Sequence, residues 1–445
     1  MRIAFVPIDN RPVCYSLACD ISAIDKGIEL MLPPREMLGG LTETADIEKM
    51  YEWLKNLPVC DVIILSLDTL AYGGLIPSRR CDETFAEIKL RLETLKDILK
   101  SKNAKIYAFS SIMRISNNNF NEEEKEYWSE YGKKIFKYSY NSHKYGDADT
   151  SEIPNEILND YLETRKRNFE INKIYLEWLK EGFFDTLIFS KDDCAEYGLN
   201  VKEADELEKL GGFTKTGADE IPLSLLSRSI KKEINVFVEY TEPDCKNLIS
   251  NYEDVSVEKS VLGQLELGGF NVVNSKDKAD VVLIVNNFRE KQGEHVMGWE
   301  TLAFDKKLAL PKDKPYAVAD IRYANGADNA LVEQLLQNID SNFAGYAGWN
   351  TTANTLGSLL AGVKIGYKAE KYSEKAFKKL QMIRFLDDWA YQANVRKKIG
   401  EQTDIKDLMK PYAEKLSKIF DYEINCSAIT YIYPWKRKFE TEILI

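Results

Sequence analysis

Short apolar runs recur along the chain, and the stretches between them carry apolar residues at helical spacing. The runs predict strands near 3–8, 29–32, 62–67, 105–110, 186–190, 234–239, 270–273, 281–286, 316–320 and 343–347. The intervening pattern predicts helices at about 43–57, 84–101, 122–138, 155–181, 201–210, 222–232 and 257–267. Strand–helix alternation of this kind builds a mainly parallel sheet covered by helices, so the expected class is α/β. The expected core is a (β/α)-barrel, complete or distorted. The alternative is two doubly wound α/β domains, because the strands outnumber the eight that close a barrel.

The same pattern organises the chain. Residues 1–364 read as the α/β catalytic region, and residues 365–445 as a helical C-terminal region. A polar, helical stretch at 115–182 reads as an insertion after the fourth strand, flanking the site. The strand–helix–strand pattern within 234–310 reads as a small α/β subdomain or as further strands of the main sheet. In the C-terminal region, Phe377, Leu380, Ile383, Leu386 and Trp389 fall at helical spacing and suit core packing. Asp387-Asp388 lies mid-helix there, which suggests a solvated face or salt bridges.

One apolar run ends differently. Residues 186–190 lead straight into Asp192-Asp193, which places two carboxylates at the rim of a sheet, where α/β proteins bind their ligands. Two carboxylates so close cannot both ionise cheaply. One pKa is pushed up and the other held down, which supplies an acid and a base near neutral pH. The plain structural alternative is a pair capping a helix that starts near Ala195.

Other strand ends also carry polar groups that a fold does not need. The first runs into Asp9-Asn10-Arg11, and the third into Asp68, Tyr72 and Gly73. The strand near 316–320 ends in Asp320, then Tyr323, Asn325 and Asp328. The strand near 343–347 is followed by Trp349, Asn350 and Asn354. Any one of these suits a turn or a cap. Together they suit a neutral polyol, with Asp and Asn pairing with hydroxyls and Trp349, Tyr72 and Tyr323 offering platforms for a sugar's C–H face. A small-molecule or oligosaccharide substrate is therefore expected, lying in one pocket with Asp9, Asp68, Asp192, Asp320 and Asn350.

Composition narrows the chemistry. The chain has 445 residues, a net charge of −11 and no basic stripe, which argues against nucleic acid and anionic membranes as partners. No apolar stretch approaches a membrane span, and residues 2–8 read as a strand rather than a signal peptide. With only His143 and His295, both in polar surroundings, a Ser-His-Asp triad or a His-rich zinc site is not expected. His143 reads as a surface loop residue. The seven cysteines include no Cys-x-x-Cys and read as reduced thiols, so a cytoplasmic location is expected; Cys194 beside the Asp pair suits packing rather than nucleophilic catalysis. Gly73-Gly74 lacks a P-loop lysine, and no Gly-x-Gly-x-x-Gly follows the first strand, so nucleotide binding is not indicated. No cofactor is expected. An all-oxygen magnesium or calcium site on Asp9, Asp68, Asp192 and Asp320 is conceivable, but no diagnostic ligand spacing occurs and no metal is assigned.

Six ordered motifs carry a family likeness: Ile8-Asp-Asn-Arg-Pro12, Leu67-Asp-Thr-Leu-Ala-Tyr-Gly-Gly-Leu-Ile-Pro-Ser-Arg79, Lys191-Asp-Asp-Cys-Ala-Glu-Tyr-Gly198, Gly217-Ala-Asp-Glu220, Tyr323-Ala-Asn-Gly-Ala-Asp328 and Gly348-Trp-Asn-Thr-Thr-Ala-Asn-Thr-Leu-Gly357. From residue 1 to about 400 the sequence resembles the bacterial domain-of-unknown-function family 4127 (DUF4127). A strand ending in Asp-Asp and a later one ending in Trp-Asn are also similar to the O-GlcNAcase-type hexosaminidases. That similarity implies a glycosidase of the N-acetylhexosaminidase kind, with catalysis assisted by the substrate. Asp192 would polarise the 2-acetamido group and Asp193 would act as general acid and base, an exception the general glycosidase rule allows. The later motif here reads Trp-Asn-Thr-Thr and lacks the proline that often follows Trp-Asn in those enzymes.

Overall fold

The structure is a computed structural model that describes residues 1–400 and 404–445. The chain divides into two compact units. The first comprises 1–15, 29–222 and 252–254, and the second 16–28, 223–251 and 255–445.

The first unit is built on a six-stranded parallel sheet of β1 (Arg2–Val6), β2 (Glu29–Met31), β3 (Val62–Ser66), β4 (Lys105–Ile112), β5 (Thr186–Lys191) and β6 (Thr214–Thr216). Its order is β2-β1-β3-β4-β5-β6. β3 is buried along its whole length, as expected of a central parallel strand written as one apolar run. One face packs Ile63, Leu65, Ile106, Ala108, Leu187 and Phe189 against apolar faces of the helices Ile47–Lys55, Phe85–Lys100 and Asn155–Lys180. The last of these is the crossover from β4 to β5, so only part of the stretch 115–182 is an addition. That addition packs Ile115, Trp128 and Ile135 in a small core with Leu158 at the start of the crossover helix.

The second unit has a five-stranded parallel sheet of β7 (Asn235–Tyr240), β8 (Asn271–Val272), β9 (Val281–Asn286), β11 (Tyr316–Asp320) and β13 (Phe343–Ala347). Two small pairings, β10 (Gly293–Glu294) with β12 (Tyr323–Ala324) and β14 (Thr430–Ile432) with β15 (Glu442–Leu444), complete the strands among the described residues. The sheet order is β13-β11-β9-β7-β8. In chain order this repeats the pattern of the first unit: the second strand lies outside the first, and later strands build away on its other side.

The closed barrel is therefore not formed. Both sheets are open, with β2 and β6 as edges in one and β8 and β13 in the other. The surplus strands form a second sheet instead of closing the first. Each sheet reverses its direction of growth beside its first strand, and α/β proteins place ligands outside the carboxyl ends of the strands at such a switch point. In the first unit that point lies between β1 and β3. In the second it lies between β7 and β9.

Candidate active site

β5 ends as the sequence suggests, and Asp192 and Asp193 follow at the carboxyl edge of the first unit's sheet. They cap no helix. The next helix is Leu199–Lys209, and its N-cap, Gly198, makes no side-chain cap bond. Asp193 has φ +40°, an uncommon conformation for a residue with a side chain. Neighbouring side chains on an extended strand point to opposite faces, whereas this turn lets both carboxylates meet one cation. Arg114 Nη1 lies 3.4 Å from Asp192 Oδ2 and 3.0 Å from Asp193 Oδ2.

Arg114 follows β4 and is itself held by Glu124 at 2.9 Å and Glu123 at 2.8 Å. Buried Arg79 extends the chain of charges to Glu124 at 3.2 Å. The Asp193 side chain is one-third exposed, the most of this network, while Asp192 and Glu123 are each about one-fifth exposed. Burial and the neighbouring Asp192 push Asp193 up to about 7, against the pull of Arg114.

A second ion network stands at the ends of β1 and β6. Arg11 lies between Asp9 at 2.7 Å and Asp219 at 2.6 Å, all three buried. Burial pushes Asp219 up to about 6; Arg11 opposes this, and Asp9 and Asp192 reinforce it. Asp9, Cys14 and Asp219 each offer an atom within 4.8 Å of the others, a spacing that suits a metal ion. The Arg11 guanidinium already supplies a cation to both carboxylates, and it donates to Asp9 through two side-chain nitrogens and the backbone N–H. These residues do not fit a resident metal. Lys191, just before the Asp pair, is paired with Asp254, which also accepts from Thr216 Oγ1 at 2.8 Å.

Other candidates in this unit work as scaffolding. Asp68 is buried and accepts from the Ser111 backbone N–H at 2.8 Å, which ties β3 to β4. Burial pushes it up to about 7. The neighbouring Thr69 hydroxyl donates to the carbonyl of Pro7 at 2.8 Å and fastens the end of β1. Tyr72 is buried with Arg167 over its ring at 5.5 Å, so its face is taken. Gly73 has φ +88° and ends the short helix Leu67–Tyr72. The Asn10 carbonyl accepts from Arg35 at 2.8 Å. His143 lies in the helix Trp128–Tyr145 rather than in a loop, and its Nδ1 accepts from the Gly198 N–H at 3.1 Å. Cys194 is buried, and its thiol is raised well above its usual value by that burial, which suits packing. A cleft elsewhere in the unit, lined by Cys81, Glu83, Lys125, Asp160 and Arg167, includes neither member of the carboxylate pair.

Asp320 and Asn350 belong to the other sheet, so the five expected residues do not project from one barrel. Asp320 is buried and accepts from Asn286 at 2.8 Å and from the Asp328 N–H at 2.7 Å. Burial and Asp328 push it up to about 7. Asp328 caps the helix Asn329–Asn338 and lies 3.4 Å from buried Arg322. Tyr323 is stacked on His295 at 4.5 Å and donates to the Thr301 carbonyl, so it offers no open platform. Trp349 is buried against Phe439, with ring centres 6.2 Å apart. Asn325 and Asn350 both have positive φ, and the Asn325 N–H donates to the Asn350 carbonyl at 3.0 Å. Asp388, expected on a solvated face or in a salt bridge, is fully buried; Arg384 pairs with it at 2.8 Å and Gly348 N–H donates to it at 2.7 Å.

Residues 3–444 match the family model described as Protein of unknown function (DUF4127). The chain belongs to that family. No curated protein and no solved structure matches it.

Among the described residues of this DUF4127 protein, no helix is long and apolar enough to cross a membrane. Sequence reading missed Arg114, Glu123, Glu124, Asp219 and Asp254 at the site. Asp219 lies within the Gly217-Ala-Asp-Glu220 motif and could have been found there. The others carry no local signal, because only the order of strands brings them to the carboxylate pair.

Proposed function

We propose that the first unit is a glycoside hydrolase site in which Asp193 is the general acid and Asp192 the group that anchors and polarises the substrate. The observation that carries this reading is the geometry of the pair: adjacent, partly exposed carboxylates at a strand's carboxyl end, bridged by Arg114. The raised Asp193 keeps a proton available near neutral pH. Asp192, 3.4 Å from Arg114, is the neighbour left to meet the substrate.

The finer form is hydrolysis of N-acetylhexosaminides by a retaining, substrate-assisted route. The 2-acetamido oxygen attacks the anomeric carbon as the glycosidic bond breaks, and Asp193 gives its proton to the departing oxygen. Asp192 holds the acetamido N–H and offsets the positive charge that develops on the oxazoline. Water then opens that ring, with Asp193 now taking the proton. Trp349 and Asn350 stand on the other sheet and are not used here. Support comes from the carboxylate pair alone.

A screen of aryl glycosides with the wild type and Asp193→Asn tests the class. For a glycosidase, at least one sugar is turned over, and the variant keeps its affinity while losing turnover. A protein that only binds sugars shows no turnover and a modest loss of affinity. Activity abolished by a chelator would instead favour a metal-dependent hydrolase or transferase.

A further inference from the structure

We infer that the second unit holds a binding site of its own for a neutral, polyhydroxylated ligand, formed by Trp349, Asn325, Asn354 and Gln392. All four side chains are more than nine-tenths buried. Each nevertheless presents a polar atom with no partner: the indole Nε1 of Trp349, Oδ1 of Asn325 and Asn354, and Oε1 of Gln392. Buried polar atoms are nearly always satisfied, so four orphans in one neighbourhood mark a place where something else completes the bonding.

The neighbourhood is defined by direct contacts. The Asn325 N–H donates to the carbonyl of Asn350, the residue after Trp349. Phe439 packs on the Trp349 ring, and its carbonyl accepts from Gln392 Nε2 at 3.2 Å. The Thr355 hydroxyl donates to the Trp349 carbonyl at 2.9 Å, which ties the start of the helix Thr352–Gly366, where Asn354 lies, to the Trp349 backbone. Gln392 comes from a π-helical segment, Phe385–Val395, a geometry frequent at functional sites. The left-handed backbone at Asn325 and Asn350 is a second local departure from regular structure.

The donor set defines the ligand. The Asn325 amide nitrogen donates to Glu294 at 2.5 Å, and that of Gln392 donates to the Phe439 carbonyl at 3.2 Å, which leaves the two amide oxygens as the ends without partners. The site thus offers one N–H donor and three carbonyl acceptors. An anion would face three oxygens, and a metal ion would face an N–H. A hydroxyl can accept from the indole and donate to an amide oxygen, so a sugar or other polyol satisfies the whole set. Partly exposed Asn350, Thr351 and His295 form the rim.

The test uses the full chain carrying Asp193→Asn, so that the chemistry proposed for the first unit plays no part. With ¹⁵N labelling, the Trp349 indole resonance is assigned by its loss in Trp349→Phe, then followed during titration with glucose and N-acetylglucosamine. We expect a saturable shift with at least one sugar, weakened by roughly tenfold or more in Asn325→Ala and in Asn354→Ala. An undisturbed amide spectrum elsewhere checks that each variant is folded, and the milder Asn354→Ala stands alone if Asn325→Ala is not. An indole resonance unmoved up to the solubility limit of both sugars would mean that the orphans are met by trapped water, and would overturn the proposal. A shift of equal strength in a folded Asn354→Ala would overturn it as well. Failure of either kind leaves the reading of Asp192 and Asp193 untouched.

Discussion

Gly217 has no side chain because Glu220 occupies the space: a β-carbon at 217 would overlap the Glu220 carboxylate. Gly217 has φ +109°, its N–H donates to the Lys191 carbonyl at 2.8 Å, and the Ala218 N–H donates to Glu220 Oε2 at 3.1 Å. This short turn carries Asp219 to Arg11 and links β6 to the residue before the carboxylate pair. Gly217→Ala combines a forbidden backbone with a clash. We expect a loss of more than about 1 kcal/mol in denaturant unfolding, with activity falling alongside stability.

Glu220 is fully buried, and burial pushes its carboxyl up to about 8. A carboxyl raised on folding holds its proton more tightly in the native state than in the unfolded chain. Its contribution to stability is therefore complete below the unfolded value near 4.5 and is lost as pH rises through about 8. Glu220→Gln keeps the acceptor for Ala218 and removes the titration. Relative to the wild type, its stability should improve steadily between pH 4.5 and 8 in chemical denaturation. A difference that is flat with pH would mean that Glu220 is ionised in the fold at no cost.

The strands of both main sheets were legible in the chain, apart from β6; β3, β9 and β11 stand out because parallel strands buried on both faces write themselves as apolar runs. Their pairing was not legible. The run at 281–286 suits a barrel or a separate sheet equally, since hydrophobicity records burial and not neighbours. The same limit explains the site. Asp192 and Asp193 announce themselves by position, whereas Arg114 lies 78 residues before Asp192 and reaches it only because β4 pairs with β5. Asp388 is intermediate: a charged pair in mid-helix suggests a solvated face or salt bridges, and the salt bridge forms, to Arg384 one turn earlier, but in a buried site that the Gly348 N–H helps to make tolerable.

If Asp193 is the acid, kcat/KM should fall as pH rises through about 7, because the proton to be donated is lost there. Asp193→Asn should lower turnover by about 10²–10⁴-fold on a substrate with a poor leaving group and abolish that limb. A limb that survives in Asp193→Asn would assign the acid elsewhere.

The two neighbours of Asp193 should move its titration in opposite directions. Asp192→Asn removes a like charge and lowers the Asp193 pKa; Arg114→Ala removes the opposing cation and raises it. ¹³C-carboxyl NMR of Asp193 reads both shifts directly. Arg114→Ala should also lower stability, by less than the loss of a sole partner would, because buried Glu124 keeps Arg79 at 3.2 Å. Shifts in the same direction would contradict the assigned electrostatics.

The most direct measurement is the hydrolysis of paired aryl β-glycosides that differ only in bearing a 2-acetamido or a 2-hydroxyl group, with and without a thiazoline that mimics the oxazoline. Asp192 can serve as anchor and polariser only if the sugar supplies the acetamido group. The expected result is efficient turnover of the acetamido sugar, poor turnover of its 2-hydroxy counterpart, and inhibition by the thiazoline that weakens in Asp192→Asn. Equal rates on both sugars, or indifference to the thiazoline, would contradict the substrate-assisted mechanism.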